Sequence, residues 1–498
     1  MAKKSATAAQ APDHVYSTLI VGAGYSGICN AIRLREGGID NIVILERAGE
    51  VGGTWRDTRY PGAACDVPSN LYSLSFAPNP AWSRAFPTSG EIQQHIVKIS
   101  HDYHLRPLIR FNTNVTGMVF NEADGTWTVN TTGGGRYRAR TVVMASGPLA
   151  NASFPKIDGI ERYEGHKIHS AYWDEKYDFR GKRVAVIGTG ASAVQIVPEL
   201  VKTAQQVKVF QRTPGWMMPR PDYAVPEWNR SLFRRLPTAQ NVARDAVFWI
   251  YESSAAGVVF TSPVTAALER VAKAHLHAQV KDRWLRRQLT PDYRIGCKRI
   301  LLSSDYYPAL QQSNCELVTW PIAGLCEEGI RTCDGLTHRF DAIVFATGYD
   351  VAKDGSNLAF PVTGLGGRSL AQDWARHCQA YKATTISGYP NLFMMLGPNA
   401  GPGHNSALIY MEAQVGYTVQ AVRAILRGKY RYADVKPEVQ RAFNVDIQQR
   451  LQKTNWNTGC KSWYINEDGF NPSMFPGYAR QFEAQMKSFE PADYALVR

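Results

Sequence analysis

Ser17-Thr-Leu-Ile-Val21 runs straight into Gly22-Ala-Gly24-Tyr-Ser-Gly27, and this join decides the fold. The first stretch is short, apolar and β-branched, the pattern of a buried parallel strand. The glycines behind it let the chain turn tightly, bring backbone N–H groups up to a pyrophosphate and pack a helix against the strand. A helical pattern follows through Ala31, Ile32 and Leu34, and a second apolar run, Asn41-Ile-Val-Ile-Leu45, ends in Glu46. With Glu46 nineteen residues after Gly27, this is the complete order of a dinucleotide-binding unit. The order returns once, in Arg183-Val-Ala-Val-Ile187, Gly188-Thr-Gly190-Ala-Ser-Ala193, a helix, and Gln206-Val-Lys-Val-Phe210. Ala193 is a permitted small residue at the third position.

The residue after each second strand separates the two ligands. Glu46 can accept hydrogen bonds from ribose hydroxyls and would repel a 2′-phosphate, so the first unit suits FAD or NAD. The second unit has Gln211-Arg212-Thr213 there, a guanidinium and a hydroxyl in place of a carboxylate, which suits the 2′-phosphate of NADPH.

Two more apolar strands end in small-residue turns, Thr141-Val-Val-Met-Ala-Ser-Gly147 and Asp341-Ala-Ile-Val-Phe-Ala-Thr-Gly348. A helix-rich stretch near 230–290 reads as an insertion capping the second unit, with Phe248, Trp249, Tyr251 and Phe260 packing inside it. The fold class is α/β: two Rossmann-like dinucleotide-binding domains, for FAD and NADP, with a helical insertion in the second. The expected boundaries are a disordered tail over 1–14, an FAD-binding part over 15–150, an NADP-binding domain over 151–230 and 291–385, the insertion over 231–290, and the rest of the FAD domain over 386–498.

The chain has 498 residues, 44% of them hydrophobic and 20% charged, enough for two or three cored domains and unlike a disordered, collagenous or coiled-coil sequence. Its net charge of +13 does not choose among partners, and no nucleic-acid motif accompanies it. Eight scattered Cys without a CxxC pair argue for a reducing compartment, against a disulfide scaffold, and against a dithiol redox enzyme. They also give no metal-ligand spacing, so no metal is expected. The N-terminal segment lacks the apolar run of a secretory signal, and Ala246–Ser262 is too polar to span a bilayer. A cytoplasmic location is the expectation; weak membrane association and homo-oligomerisation stay open.

The loop Gly52-Gly-Thr54-Trp55-Arg-Asp-Thr-Arg-Tyr60-Pro-Gly62-Ala-Ala-Cys-Asp66 joins Gly and Pro to Trp and Tyr, as in a rigid loop packed on a flat ring. Its GxWxxxxYPGxxxD pattern resembles the type I Baeyer–Villiger monooxygenases. Tyr163-Glu-Gly165-His-Lys-Ile-His169-Ser-Ala-Tyr-Trp173-Asp174 resembles that family's fingerprint between the two nucleotide units, with Tyr163 where the family usually has Phe. His169 is expected to couple domain motion or to position NADP. Gly296-Cys-Lys298-Arg299, ahead of Tyr306-Tyr307, resembles the loop that carries the family's catalytic arginine.

The resemblance implies an NADPH- and O2-dependent flavoprotein that turns ketones into esters or lactones through a C4a-peroxyflavin, with sulfide oxidation as a side activity. Arg299 would stabilise the peroxide anion and Asp66 would orient Arg299. Lys298 would join Arg212 and Thr213 at the 2′-phosphate, Gly403–Ala407 would meet the isoalloxazine edge, and Ser462-Trp463-Tyr464 would close over the nicotinamide. The candidate cofactor contacts are Gly22, Gly24, Ser26, Gly27, Glu46, Thr54, Trp55, Asp66, Tyr72, Val115 and Ala407 for FAD. For NADP they are Gly188, Thr189, Gly190, Ser192, Ala193, Gln195, Arg212, Thr213, Lys298 and Trp463. Two rivals stand beside this reading: an N- or S-oxygenating flavin monooxygenase, which needs no such arginine, and a flavin-binding redox sensor without oxygen insertion.

Overall fold

Two parallel-cored sheets, each opened by one of the glycine turns, organise the chain. The computed structural model describes residues 14–149, 151–351, 354–355 and 358–498. Residues 1–13 of the expected tail lie outside this range.

In the first sheet Val15–Val21 is central, with Ile42–Leu45 and Arg136–Met144 parallel to it on either side. Ile109–Arg110 adds an edge beyond Ile42–Leu45, while Val115–Asn121 and Thr126–Thr131 continue antiparallel beyond Arg136–Met144. The C-terminal strand Leu392–Met394 returns to pair with Val142–Met144. The helix Ala407–Arg427 packs on the glycine-turn helix Tyr25–Glu36. Residues 392–498 thus share a core with 15–150, because Phe393, Tyr410 and Val415 bury apolar surface against Ile28, Ala31 and Ile44.

The second sheet is wholly parallel, in the order Cys315–Val318, Gln206–Phe210, Arg183–Ile187, Ala342–Phe345, His166–His169. Such strands are buried on both faces, which explains why Val-Ala-Val-Ile and Ala-Ile-Val-Phe lack polar alternation. In both sheets the glycine turn sits at the carboxyl end of the central strand, where open α/β sheets bind ligands.

The insertion is helical, as Glu227–Arg235, Pro237–Val258, Pro263–Gln279 and Arg283–Leu289. It does not simply cap the second unit. Ala255 and Val259 join the first core, whereas Leu276, Val280 and Leu289 join the second. Phe248, Tyr251 and Phe260 likewise pack on the first core rather than inside the insertion, and Trp249 is exposed. Periodicity locates a helix's apolar face but does not say which neighbour that face meets.

The cysteines hold a further correction. Cys297 and Cys460 form a disulfide with Cα atoms 6.2 Å apart across 163 residues of sequence, while the other six are free thiols. A pairing at such separation leaves no trace in local spacing. Among the described residues no helix is long and apolar enough to cross a membrane.

Candidate active site

Each glycine turn exists because a neighbouring strand crowds it. Gly22 has φ +102°, and a Cβ there would lie 2.7 Å from the Ala145 carbonyl oxygen. Gly188 repeats the arrangement, with φ +118° and 2.4 Å to the Ala346 oxygen. L side chains rarely adopt this backbone, so both turns require glycine. Gly27 is tighter still, since its Cβ would meet the Gly22 oxygen at 1.9 Å, yet Ala193 is accommodated in the second unit. Gly24 faces Gly53 of the following loop across a slot that side chains would fill, and Gly52 donates its N–H to the Ala23 carbonyl.

At the end of the second strand Glu46 is buried. Its Oε2 accepts from the Ala23 amide at 2.8 Å, and its Oε1 accepts from the Ala48 amide and Arg56 Nη1, both at 2.9 Å. Arg56, absent from the sequence-based set, is fixed in turn by Asp57 and the Glu50 carbonyl. A carboxylate beside the turn and a slot between glycines fit the ribose and pyrophosphate of FAD. Thr54 begins a short helix beside this slot, and Trp55 Nε1 donates to Tyr72 Oη at 2.9 Å, with Tyr72 edge-on to Tyr25. Ser26 lies in the first turn of its helix, Val115 begins the strand beyond the turn, and Ala407 begins its helix behind the cap Ser406.

The second turn is open. Gly190 is exposed, with nothing within 4 Å of a Cβ, and Thr189 Oγ1 donates to the Thr213 carbonyl. Partial burial, then the nearby Arg212 guanidinium, hold the Lys298 ammonium below its usual pKa. Lys298 Nζ lies 4.7 Å from the centre of the Tyr293 ring, and neither cation makes an ion pair among the described residues. Two adjacent uncompensated cations beside an open glycine turn fit a 2′-phosphate.

Gln195 also ties the second unit to the YPG loop. Tyr60 Oη donates to its Oε1 at 3.0 Å, and its Nε2 donates to the Ala64 carbonyl at 2.9 Å. Gly62, at φ +80°, packs against the Gln195 backbone. Both ends of the amide thus engage the joint between the YPG loop and the second unit.

The fingerprint residues gather at the same joint. His169 is buried. Its Nδ1 accepts from the Ala171 amide, so the proton sits on Nε2, which points at the Ser153 carbonyl 3.3 Å away. Burial lowers its pKa, which keeps the ring neutral near pH 7. The crossing segments 151–153 and 348–350 run side by side here, through Ser153 N–H to the Gly348 carbonyl and Asp350 N–H to the Asn151 carbonyl. Gly165 leaves room for the Tyr163 ring, whose hydroxyl donates to the Phe340 carbonyl at 3.0 Å; this partner accounts for Tyr in place of Phe. Trp173 stacks on Phe179, and Asp174 pairs with His166.

Lys298 and Arg299 follow one another in an irregular loop, Lys298 near Arg212 of the second unit and Arg299 bound to Asp66 beyond the first. Arg299 Nε donates to Asp66 Oδ2 at 3.0 Å, and Nη2 donates to Oδ1 and Oδ2 at 2.8 and 2.6 Å. The Asp66 charge raises the pKa of Arg299 above an already high value, so it stays protonated at any working pH. Its side chain is 48% accessible although protein surrounds it at longer range, as expected of a group lining an internal cleft. Nη1 has no acceptor among the described residues and is free to meet a ligand.

Tyr464, expected in the segment that closes over the nicotinamide, and Tyr251, expected to pack inside the insertion, both act electrostatically on this pair. Tyr464 is buried, and its pKa is pushed up to about 12 by desolvation, against the pull of Arg299. Tyr251, from the insertion helix Pro237–Val258, is also pushed to about 12, by burial and then by Asp66. Trp463, by contrast, is 47% exposed and touches the Tyr464 ring. The disulfide links Cys297, next to Lys298, to Cys460 at the start of the Trp463 segment.

A family model for pyridine nucleotide-disulphide oxidoreductases matches residues 19–263, a segment that includes neither cysteine of the disulfide. The chain is 40% identical to a Baeyer–Villiger monooxygenase of Pseudomonas aeruginosa over 96% of this chain and 91% of that one. It is also 40% identical to a Baeyer–Villiger monooxygenase of Streptomyces coelicolor, covering 98% and 94%. Its structure superposes on an oxidised steroid monooxygenase bound to NADP with a TM-score of 0.85, at 30% identity over 97% of this chain and all of that one. The paired glycine turns, the joint between them and this near-complete correspondence place the chain in the Baeyer–Villiger monooxygenase family of FAD- and NADP-dependent flavoproteins.

Proposed function

We propose that this enzyme converts ketones to esters or lactones using NADPH and O2, with Arg299 as the group that stabilises developing negative charge. The observation that carries the reading is the bidentate Arg299–Asp66 pair in the cleft between the two nucleotide units. Bound FAD, reduced by NADPH, supplies the activated oxygen; the chain supplies position, charge and exclusion of water.

Each residue then has a stated task. Glu46 and the Gly22–Gly27 turn hold the ribose and pyrophosphate of FAD. Arg212 and Lys298 hold the 2′-phosphate of NADPH. Asp66 fixes the guanidinium plane through two nitrogens and leaves Nη1 without an acceptor among the described residues, available to a ligand. A fixed cation stabilises an oxyanion without reorganising at the moment of reaction, and the effect is larger where Tyr464 and Tyr251 limit water. The N- or S-oxygenating alternative uses a protonated oxidant and gives no role to this pair.

Arg299→Ala should retain NADPH-driven flavin reduction and lose ester formation by about 10²–10³-fold, the scale of losing one oxyanion donor. Stopped-flow absorbance and product chromatography read the two separately. Undiminished ester formation would reject the role of Arg299, and oxidation of amines in preference to ketones would favour the alternative.

A further inference from the structure

The insertion helix Pro237–Val258 turns one polar face toward the FAD unit. Gln240 Nε2 donates to the Asn79 carbonyl at 2.8 Å. One turn on, Arg244 Nη1 donates to the carbonyls of Asn70, Leu71 and Ser73 at 3.1, 3.1 and 2.8 Å, bracketing Tyr72. Two turns further stands Glu252, only 3% exposed. Its Oε2 accepts from His404 Nε2 at 3.0 Å, Asn405 Nδ2 at 3.1 Å and the Ala479 amide at 3.1 Å, and its Oε1 accepts from the Arg480 amide at 3.0 Å. Phe248 and Tyr251 fill the same face between the two charges.

Burial alone would push the Glu252 carboxyl up. Hydrogen bonds from His404, the Arg480 backbone and Asn405 outweigh it and hold the group below the usual carboxylate range. Facing a carboxylate, His404 donates through Nε2, and its Nδ1 is left buried without a partner among the described residues. A buried charge is costly unless its lone pairs are used, and an apolar contact would join helix to core without that cost. What the carboxylate adds is direction, because it sets the orientation of two consecutive side chains, His404 and Asn405, just ahead of the cap Ser406 and the helix Ala407–Arg427.

We propose that Glu252 is a positioning residue for the flavin: it fixes loop 403–406 and the helix start behind it, while Arg244 fixes the segment that carries Tyr72. The insertion is then a brace that shapes the FAD site from outside the FAD domain. This rests on the reading that the first unit binds FAD, with loop 403–406 and Tyr72 on its flavin side.

The test uses the full-length protein, stripped of flavin and reconstituted. FAD affinity is read by quenching of flavin fluorescence, the flavin environment by visible circular dichroism, and the second unit by NADP+ affinity. Glu252→Ala leaves four donors unmatched and should weaken FAD binding roughly tenfold or more, with an altered visible dichroism. Glu252→Gln, of the same shape, keeps one acceptor oxygen but sets an amide N–H against a donor, and should shift the same signals by about threefold. NADP+ affinity should hold in both, which general unfolding would not allow. Should neither variant fold, Asn405→Ala reads the same dichroism change from the loop side. A folded Glu252→Gln or Asn405→Ala with wild-type FAD affinity and dichroism overturns the proposal. A wild-type chain that takes up no FAD overturns the proposed function instead.

Discussion

Gly24 and Gly190 occupy the same place in two copies of one turn, yet Gly24 lies under Gly53 whereas Gly190 faces open space. The contrast extends along both units. Ala23 and Tyr25–Gly27 are buried beneath the loop 52–66 and the helix Ala407–Arg427, while Gly190 and Ala191 are exposed. The acid Glu46 is held by three donors of its own neighbourhood and keeps acceptor capacity on Oε2, whereas Arg212 and Lys298 make no ion pair among the described residues. One βαβ unit is covered by later parts of the chain and suits a ligand kept through many turnovers. The other is open and electrostatically unfinished until an anion arrives, which suits a ligand that comes and goes.

The sharpest way to break this comparison is to add a methyl group to one glycine of each turn. Gly27→Ala places a Cβ on the Gly22 oxygen and should yield protein with less than about a tenth of the wild-type flavin per chain, since relieving the overlap displaces the turn. Gly190→Ala meets no protein atom and should leave flavin content intact. Flavin absorbance per chain measures both, and equal losses would erase the distinction. Lys298→Ala should raise KM for NADPH by about 10–100-fold, the cost of a charged hydrogen bond, with little change for NADH. A matching rise for NADH would mean that Lys298 does not read the 2′-phosphate.

A smaller effect is expected where the units are tied together. Cys460→Ser should lower stability by about 2–4 kcal/mol without changing flavin content, as chemical denaturation of the flavin-loaded protein would read. An unchanged midpoint would argue that the cross-link constrains nothing beyond the contacts already present. The least effect concerns pH. His95, lowered to about 4 by burial, and His169, lowered for the same reason, bind fewer protons folded than unfolded. The His95 contribution is therefore complete above the ordinary value of 6.5 and is lost as pH falls from there toward about 4, and that of His169 is lost on the same side of 6.5. Thermal midpoints at pH 7.5 and 5 should fall more for wild type than for His95→Gln; parallel falls would reject the assignment.

Both glycine turns, their strands and the difference between Glu46 and Arg212 were legible because they are local: each ligand feature sits within one βαβ segment. Arg299 and Asp66 were legible as a pair only through resemblance, because 233 residues separate them in the chain. Glu252 left a trace too, as a carboxylate interrupting an apolar helical run, a pattern that signals a buried partner as readily as an exposed face. Gln195 carries a contact the sequence did not show: its place at a glycine-turn helix suggested a ligand, and the YPG loop also bonds both ends of its amide.

By itself the sequence determined that there are two nucleotide units, that the first suits FAD or NAD and the second NADPH, and the chemistry of the residues between them, since backbone turns and charge at fixed spacing follow from residue type. Only the tertiary structure decided that the insertion packs on the FAD unit as well as the second unit, that Cys297 and Cys460 join, and that Glu252 meets His404 and Asn405. These depend on which buried surfaces and charges meet across more than a hundred residues, and such pairings are selected by the packing of the whole chain rather than by any stretch of it.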